Sequence, residues 1–230
     1  MMIKTVIFDA FDTLFKVEKG ASAKYVIERI KRCGCTVDEA EIYKIWTRYY
    51  KENTSVNSSF KTEREIFTDR IQMLYNKFGV LYDAASDADL LMEKSKNRYV
   101  FDDVVPALEK LKGVCNIYVG SNTDNDVLEA VMQKNGITVD KIYTSESLRC
   151  YKPSAEFYNA IIKENGLLYN EVLFVGDSLT DDVLGPQNVN IKTCWLNREG
   201  KARTEIIPDY EIRSLTELIQ IIGKETYYEQ

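Results

Sequence analysis

Two carboxylates and a hydroxyl follow a short apolar segment near the start of the chain. Residues 6–8 have the pattern of a buried strand, and Asp9, Asp12 and Thr13 come directly after them. In open α/β sheets, ligands bind beyond the carboxyl ends of the strands, so we expect Asp9 to stand where a substrate arrives. A carboxylate in that place can act as a nucleophile or as a metal ligand.

A second apolar segment ends in the same way. Residues 172–175 break at Gly176 and open into an acidic loop that contains Asp177 and Asp182. Mg²⁺ prefers oxygen ligands and commonly takes one or two protein carboxylates, leaving its other positions to water and substrate phosphate. Two acidic strand ends therefore predict a Mg²⁺ site that includes Asp9 and Asp177.

Two further polar residues follow segments with strand character. Ser121 comes after residues 116–120, and Lys152 comes shortly after residues 141–145. A hydroxyl beside a helix start and a lysine are both suited to hold an anion such as phosphate. Taken singly, Ser121 has the more ordinary interpretation of a turn residue, and Lys152 that of a solvated surface residue.

In this order, the four segments resemble the four motifs of the haloacid dehalogenase-like hydrolase superfamily. The stretches that carry the resemblance are FDAFDTL, GSN, YKPSAEFY and VGDSLTDD, and they span nearly the whole chain. The resemblance implies a hydrolase that forms a covalent aspartyl-phosphate at Asp9 on a small phosphate monoester, with Mg²⁺ as cofactor. It further implies that Asp9 is the nucleophile and that Thr13 supports its loop. Lys152 is implied to be catalytic and, with Ser121 and Asn122, to bind the substrate. The implied metal ligands are the side chains of Asp9, Asp177 and Asp182 and the backbone carbonyl of Phe11.

The chain departs from the family's phosphatase pattern at one position. The family places an acid/base aspartate two residues after the nucleophile, and Phe11 stands there instead. General acid–base catalysis is worth about a hundred- to ten-thousand-fold in rate, so its loss predicts a slow phosphatase. Asp12 is not expected to replace the acid, because adjacent residues that leave a strand point in different directions.

Two other functions stay open on these residues. An aromatic residue two positions after the nucleophile is similar to the haloacid dehalogenases proper, which need no metal. Asn122 and Tyr158, six residues after Lys152, fit that branch too, and Trp46 and Arg48 fit it loosely. That branch replaces the acidic loop with serine and asparagine, whereas Asp177 and Asp182 remain here. The third alternative is a weakly active or inactive protein that binds a phosphorylated metabolite or a partner.

Composition narrows the classes of partner and mechanism. A net charge of −6 argues against nucleic acid and anionic membranes as partners. The chain has no histidine, which excludes the usual Ser-His-Asp and Cys-His schemes and the HExxH metalloproteases. Five scattered cysteines without a CxxC pair predict a reduced, cytoplasmic protein. We expect a small anionic substrate and a monomer or homodimer.

The order of the elements predicts an α/β fold, with a doubly wound parallel, Rossmann-like sheet and an inserted α-helical cap. We assign residues 1–15 and 99–230 to the core and residues 16–98 to the cap, which is where the family's first subclass inserts one. Periodicity and capping signals predict four cap helices, at residues 22–33, 38–51, 62–78 and 87–98. The core elements are predicted as strands at residues 115–120, 141–144, 172–175 and 191–196, and helices at residues 106–112, 126–135 and 153–165.

Overall fold

A six-stranded parallel sheet forms the centre of the fold. The computed structural model describes residues 2–55, 58–202 and 205–227; the remaining residues of the two predicted domains lie outside the described ranges. The strands are ordered β3-β2-β1-β4-β5-β6, and each neighbouring pair is parallel. Their bounds are Thr5–Phe8 (β1), Asn116–Ser121 (β2), Lys141–Thr144 (β3), Val172–Gly176 (β4), Lys192–Leu196 (β5) and Tyr210–Ile212 (β6). The α/β class with a doubly wound parallel sheet is thus confirmed.

The central strand β1 is buried on both faces. Its alternate side chains enter different apolar clusters, with Val6 and Phe8 on one face and Ile7 on the other, because successive residues of a strand point to opposite sides. Phe8 pairs with Val119 of β2 and with Val175 of β4. The carboxyl ends of the three strands therefore meet at one edge of the sheet.

Helices cover both faces of the sheet. Those that follow the helical insertion are Val104–Leu111 (α5), Asn125–Lys134 (α6), Ser145–Leu148 (α7), Ala155–Asn165 (α8), Gly185–Gln187 (α9) and Leu218–Tyr227 (α10). The elements β6, α7, α9 and α10 had no counterpart in the sequence prediction. Three of them are too short for a periodic pattern to emerge, and a strand of three residues gives almost no alternation to detect.

Four helices are inserted between β1 and α5, and they share an apolar cluster of their own. Their bounds are Ala21–Arg32 (α1), Glu39–Asn53 (α2), Glu63–Phe78 (α3) and Ala84–Ser95 (α4). Helix α3 begins with the predicted capping box of Thr62 and Glu65 and ends at Gly79, whose φ of 66° is the left-handed conformation that glycine adopts readily.

The predicted bounds of the fourth insertion helix, residues 87–98, were wrong at both ends. Asp83 caps the helix by accepting a hydrogen bond from the backbone of Ala85, so α4 begins three residues earlier than predicted. It ends at Ser95, which places Arg98 in the segment that returns to the core.

Within the described residues, no helix has the length and apolar character needed to cross a bilayer.

Candidate active site

Asp9 lies at the carboxyl end of β1, beside the ends of both neighbouring strands. Its backbone N–H donates to the carbonyl of Val175 on β4 at 2.9 Å, which holds the residue at the edge of the sheet. The residue is buried, with 7% of its surface exposed. The fold therefore brings Asp9 to the crevice that the sequence analysis expected.

Lys152 is buried and contacts two carboxylates. Its Nζ lies 2.7 Å from Oδ1 of Asp9 and 2.8 Å from Oδ1 of Asp182. The hydroxyl of Ser121 donates to the same Asp9 oxygen at 3.2 Å. Hydrogen bonds between charged groups are shorter and stronger than those between neutral groups, so this ammonium is firmly held. The ordinary interpretation of Lys152 as a solvated surface residue is therefore wrong.

Asn122 holds the backbone of Lys152. Its side-chain oxygen accepts from the Lys152 N–H at 2.8 Å, and its side-chain nitrogen donates to the Lys152 carbonyl at 3.0 Å. This pair of hydrogen bonds fixes the point from which the lysine side chain extends. The amide is thus engaged in positioning Lys152, and substrate binding by Asn122 stays a prediction.

The backbone of Asp177 is held by residues from several strand ends. Its N–H donates to the hydroxyl of Thr13 at 3.2 Å, and its carbonyl accepts from Nε1 of Trp195 at 2.9 Å. The Arg198 guanidinium donates in turn to the Thr13 carbonyl at 2.9 Å and forms a bidentate pair with Asp103. Trp195 and Arg198 were not predicted from the sequence, because no local pattern distinguishes them from ordinary core and loop residues.

Asp182 enters the site from a π-helical turn, Leu179–Leu184, that follows β4. Its Oδ2 accepts from the Ser178 N–H at 3.0 Å, and the residue is 1% exposed. A Cβ atom at Gly176 would overlap the Asp182 carboxyl group, so a glycine is needed at the end of the strand. Gly176, at which the acidic loop begins, therefore leaves the space that the Asp182 carboxyl group occupies.

The carboxylates of Asp9, Asp177 and Asp182 form one cluster, in which one oxygen of each lies within 4.8 Å of the others. Burial, followed by the neighbouring charges of Asp9 and Asp12, raises the pKa of Asp177 to about 7. Burial also raises the pKa of Asp182, against the opposing effect of Lys152. Both shifts come mainly from the removal of the carboxylates from water, and the negative charge of Asp9 adds to them.

Lys152 is the cation that partly balances this cluster. Burial favours its neutral form, but the carboxylates of Asp182 and Asp9 outweigh that effect and hold its pKa above the ordinary value. One ammonium therefore faces three carboxylates. A divalent cation would balance the remaining charge, and carboxylate oxygens are the ligands that Mg²⁺ prefers. The residues present thus fit a Mg²⁺ ion.

Phe11 lies between the core and the inserted helices. Its ring packs against the apolar clusters of both regions, and its centroid is 3.9 Å from the guanidinium carbon of Arg98. The next residue, Asp12, has a left-handed φ of 65° and pairs with Lys19 at 3.4 Å, at the start of the insertion. Metal binding by the Phe11 carbonyl stays a prediction.

The first turn of α3 docks on the end of β2. The backbone N–H groups of Glu63 and Arg64 donate to the two carboxylate oxygens of Asp124 at 2.7 and 2.9 Å, the favourable arrangement of an anion at a helix start. The Glu63 carboxylate accepts from the hydroxyl of Thr123 at 3.2 Å. Burial, followed by the charge of Asp124, raises the pKa of Glu63 to about 7. The sequence analysis did not single out these contacts, which depend on how the helices dock.

The two helix residues that loosely fitted a dehalogenase lie away from Asp9. The Arg48 side chain is 67% exposed and pairs with Glu52 on its own helix. Trp46 is buried among the inserted helices, where it packs edge-on against Phe67 with a centroid separation of 5.5 Å. The ring of Trp46 also covers the guanidinium of Arg70 at 3.2 Å. These positions give Arg48 and Trp46 no contact with the carboxylate cluster.

Comparisons with known proteins agree with this geometry. A sequence model of the haloacid dehalogenase-like hydrolases matches residues 3–190. The putative HAD-hydrolase YfnB of Bacillus subtilis is 27% identical over 96% of both chains, and the pyrimidine 5′-nucleotidase PynA of Streptococcus pneumoniae is 24% identical over 97% of both. The (S)-2-haloacid dehalogenase of Pseudomonas sp. strain YL is 25% identical over 95% of this chain and 94% of its own.

A solved structure shares the fold. The crystal structure of YfnB bound to magnesium superposes with a TM-score of 0.75 and 23% identity, covering 97% of this chain and 100% of that one. Relatives at these identities include phosphatases and dehalogenases, both of which are hydrolases. The family model covers most of the chain and all four strand-end motifs, and the chain therefore belongs to the haloacid dehalogenase-like hydrolases.

Proposed function

We propose that the protein is a Mg²⁺-dependent phosphatase that acts on a small phosphate monoester through Asp9. The observation that carries this proposal is the set of contacts around the Asp9 carboxylate. Lys152 and Ser121 both bind its Oδ1, while among the described residues no hydrogen bond reaches its Oδ2. One oxygen is thus fixed in place and the other is free to attack.

Each residue of the cluster has a role in this reaction. Lys152 and Ser121 hold the oxygens of the transferring phosphoryl group, and Thr13 supports Asp177 through the hydrogen bond to its backbone. Asp9, Asp177, Asp182 and the carbonyl of Phe11 would hold Mg²⁺. When bound, the ion offsets the negative charge of the phosphoryl oxygens and helps to orient them.

The reaction proceeds in two displacements at phosphorus. Asp9 Oδ2 forms a bond to phosphorus while the bond to the leaving-group oxygen breaks, and that oxygen takes the electron pair. Water then attacks the phosphorus of the aspartyl-phosphate, which releases phosphate and regenerates the Asp9 carboxylate. Phe11 can neither protonate the leaving oxygen nor activate the water. The first step is therefore slow unless the leaving group is activated, and the second step is slow with every leaving group.

The proposal includes the division into a core of residues 1–15 and 99–230 and a cap of residues 16–98. The separate apolar cluster of the inserted helices supports it. The docking of α3 on Asp124 supports a closed arrangement in which the cap covers Asp9. A small anionic substrate suits a site that holds a buried ammonium, and the state of association and a cytoplasmic location stay predictions.

Hydrolysis of para-nitrophenyl phosphate tests the proposal. We expect turnover that requires Mg²⁺ and is abolished by EDTA, and Asp9→Asn serves as the matched blank because it keeps the shape of the side chain. An activated leaving group needs little protonation, so Phe11 matters least with this substrate. Activity no higher than the Asp9→Asn blank would contradict the proposal and favour a protein that binds a phosphorylated metabolite without turning it over.

A haloacid dehalogenase is the second candidate. The aromatic Phe11 and the 25% identity to the (S)-2-haloacid dehalogenase favour it, whereas the acidic cluster and the exposed Arg48 do not. Asp9 would then displace halide from carbon and form an ester. Release of chloride from a 2-chloro acid in the presence of EDTA would select this function over phosphatase activity.

A further inference from the structure

The guanidinium of Arg98 lies over the aromatic ring of Phe11, at the junction between the inserted helices and the core. Its guanidinium carbon is 3.9 Å from the ring centroid, which is the distance of a stacked cation–π contact. The ring cannot easily shift, because it packs against the apolar clusters of both regions and against Phe15 at 6.3 Å between centroids. Phe11 thus provides a rigid support for this cation.

The charge of Arg98 is only partly matched by its neighbours. Among the described residues no carboxylate lies close enough to form an ion pair with it, and its guanidinium makes one long hydrogen bond, to the Ser95 hydroxyl at 3.5 Å. A guanidinium carries five N–H donors, so most of them are free for a ligand. Burial lowers the pKa of Arg98, and the carboxylates of Glu63, Asp12 and Asp9 oppose that effect.

The direction of attack places a substrate's leaving group near this cation. The core side of Asp9 is filled by Lys152 and Ser121, so a substrate enters from the side of the inserted helices. In phosphoryl transfer, the attacking and leaving oxygens lie roughly in line with the phosphorus between them. The leaving oxygen therefore points away from Asp9 and toward the inserted helices, where the Arg98 guanidinium, close enough for its charge to interact with the Asp9 carboxylate, lies over the ring of Phe11.

We propose that Arg98 is a substrate-binding residue whose guanidinium stabilises the negative charge that develops on the leaving-group oxygen. The inference rests on the proposed phosphatase function. The electron pair of the broken bond goes to the leaving oxygen, which accepts hydrogen bonds from Arg98 and takes its proton from water after departure. Arg98 itself gives up no proton, since a guanidinium stays charged. Phe11 then serves as a platform for a cation instead of supplying an acid.

A series of substituted phenyl phosphates tests this role, because it varies the charge on the leaving oxygen while the rest of the substrate stays similar. We expect Arg98→Gln to lower kcat/KM, which reports the step in which the leaving group departs, by about a hundred-fold for the poorest leaving groups and far less for para-nitrophenyl phosphate, as the loss of a charge-stabilising donor should. The dependence of log kcat/KM on leaving-group pKa becomes steeper. Arg98→Lys keeps the charge and should retain part of the effect. Arg48→Gln, which removes an exposed guanidinium from the insertion, is the matched control.

Other outcomes separate this inference from the phosphatase proposal. If Arg98→Gln lowers kcat/KM by the same factor for every leaving group, Arg98 does not act on the leaving oxygen and the inference is wrong. If the wild-type protein has no Asp9-dependent turnover at all, the phosphatase proposal fails and this inference with it. Should Arg98→Gln fail to fold, Phe11→Leu removes the aromatic support and should steepen the same dependence to a smaller extent; an unchanged slope would overturn the inference.

Discussion

The two sides of the candidate site are built in different ways. On the core side, Lys152 contacts Asp9 and Asp182 within 2.8 Å. Asp9 follows β1, Asp182 lies in the turn after β4, and Lys152 follows the short helix α7. On the cap side, Arg98 and Arg70 are packed on aromatic rings without a carboxylate partner among the described residues. Burial lowers the pKa of Arg70 to about 9.

Because of this difference, we expect the core side to carry out the reaction and the cap side to bind and select the substrate. In the proposed reaction, the core side, with one ammonium among three carboxylates, attacks, holds and transfers the phosphoryl group, and its geometry follows from the register of three parallel strands. We expect the Arg98 guanidinium, most of whose donors are free, to receive a ligand from the cap side. Buried charges without partners are costly, so a substrate that pairs with them gains affinity from that side.

Substitution of Lys152 should disrupt the charge interactions of the core side, and it has the largest expected effect on stability and activity. Lys152→Gln leaves the two buried carboxylates of Asp9 and Asp182 without their ammonium, so we expect a loss of roughly 3–5 kcal/mol of stability and about a hundred- to thousand-fold of kcat/KM. Urea unfolding and phosphatase assays measure the two effects. Lys163→Gln, at an exposed position on α8, is the control. Wild-type activity in Lys152→Gln would show that the buried ion pairs are structural only.

The support of Asp177 can be weakened without touching the cluster. Arg198→Gln removes the hydrogen bond to the Thr13 carbonyl, and Thr13 in turn holds the Asp177 backbone. Residues that orient metal ligands typically change metal affinity by about ten- to a hundred-fold, so we expect Mg²⁺ binding to weaken by about ten-fold. Isothermal titration with Mg²⁺ measures this, with the exposed Arg213→Gln as control. An unchanged affinity would mean that Trp195 alone fixes Asp177.

An acidic residue at position 11 tests whether the cap side of the site reaches the leaving group. Phe11→Asp should raise kcat on unactivated alkyl phosphates by about ten-fold, less than the full value of an acid/base residue, because pairing with Arg98 keeps the new carboxylate ionised. Phe11→Asn is the matched variant, since it has the same shape and no proton to give. Equal rates in the two variants would show that the position does not reach the leaving group.

The carboxylate cluster also predicts how stability depends on pH. The pKa of Asp177 is about 7 in the folded protein and near its ordinary value when unfolded, so the folded state binds more protons between the two. Without Mg²⁺, the unfolding free energy should therefore fall as the pH rises from about 4 to about 7, by on the order of 1–2 kcal/mol for this partly exposed group. Glu63, with a pKa of about 7, contributes in the same direction.

Denaturant midpoints at about pH 5 and about pH 8 test this dependence. Mg²⁺ competes with protons for the carboxylates, so it should stabilise the protein more at the higher pH. Asp177→Asn should make the unfolding free energy of the metal-free protein depend less on pH. Glu63→Gln should reduce the same pH dependence by a further, independent amount. A metal-free protein that becomes more stable as the pH rises through this range would contradict the account.

The sequence predicted the core side well and the cap side poorly, for a physical reason. Asp9 and Asp177 each follow a strand and Ser121 is the last residue of one. The carboxyl ends of neighbouring parallel strands meet at one edge of the sheet, so local patterns were sufficient to place these residues together. Arg98 and Glu63 reach the site only through the docking of helices on the core, which no local pattern encodes. The predicted helix over residues 87–98 even included Arg98, whereas the helix ends at Ser95.

The central claim is that Asp9 carries the phosphoryl group. Since Phe11 cannot activate water, the aspartyl-phosphate should accumulate, and rapid acid quench followed by borohydride reduction should trap it. We predict a burst of para-nitrophenol with Mg²⁺ present, and reductive conversion of the side chain at position 9 found by peptide mass spectrometry and absent in Asp9→Asn. A burst without any modification at position 9, or modification at another residue, would contradict the account.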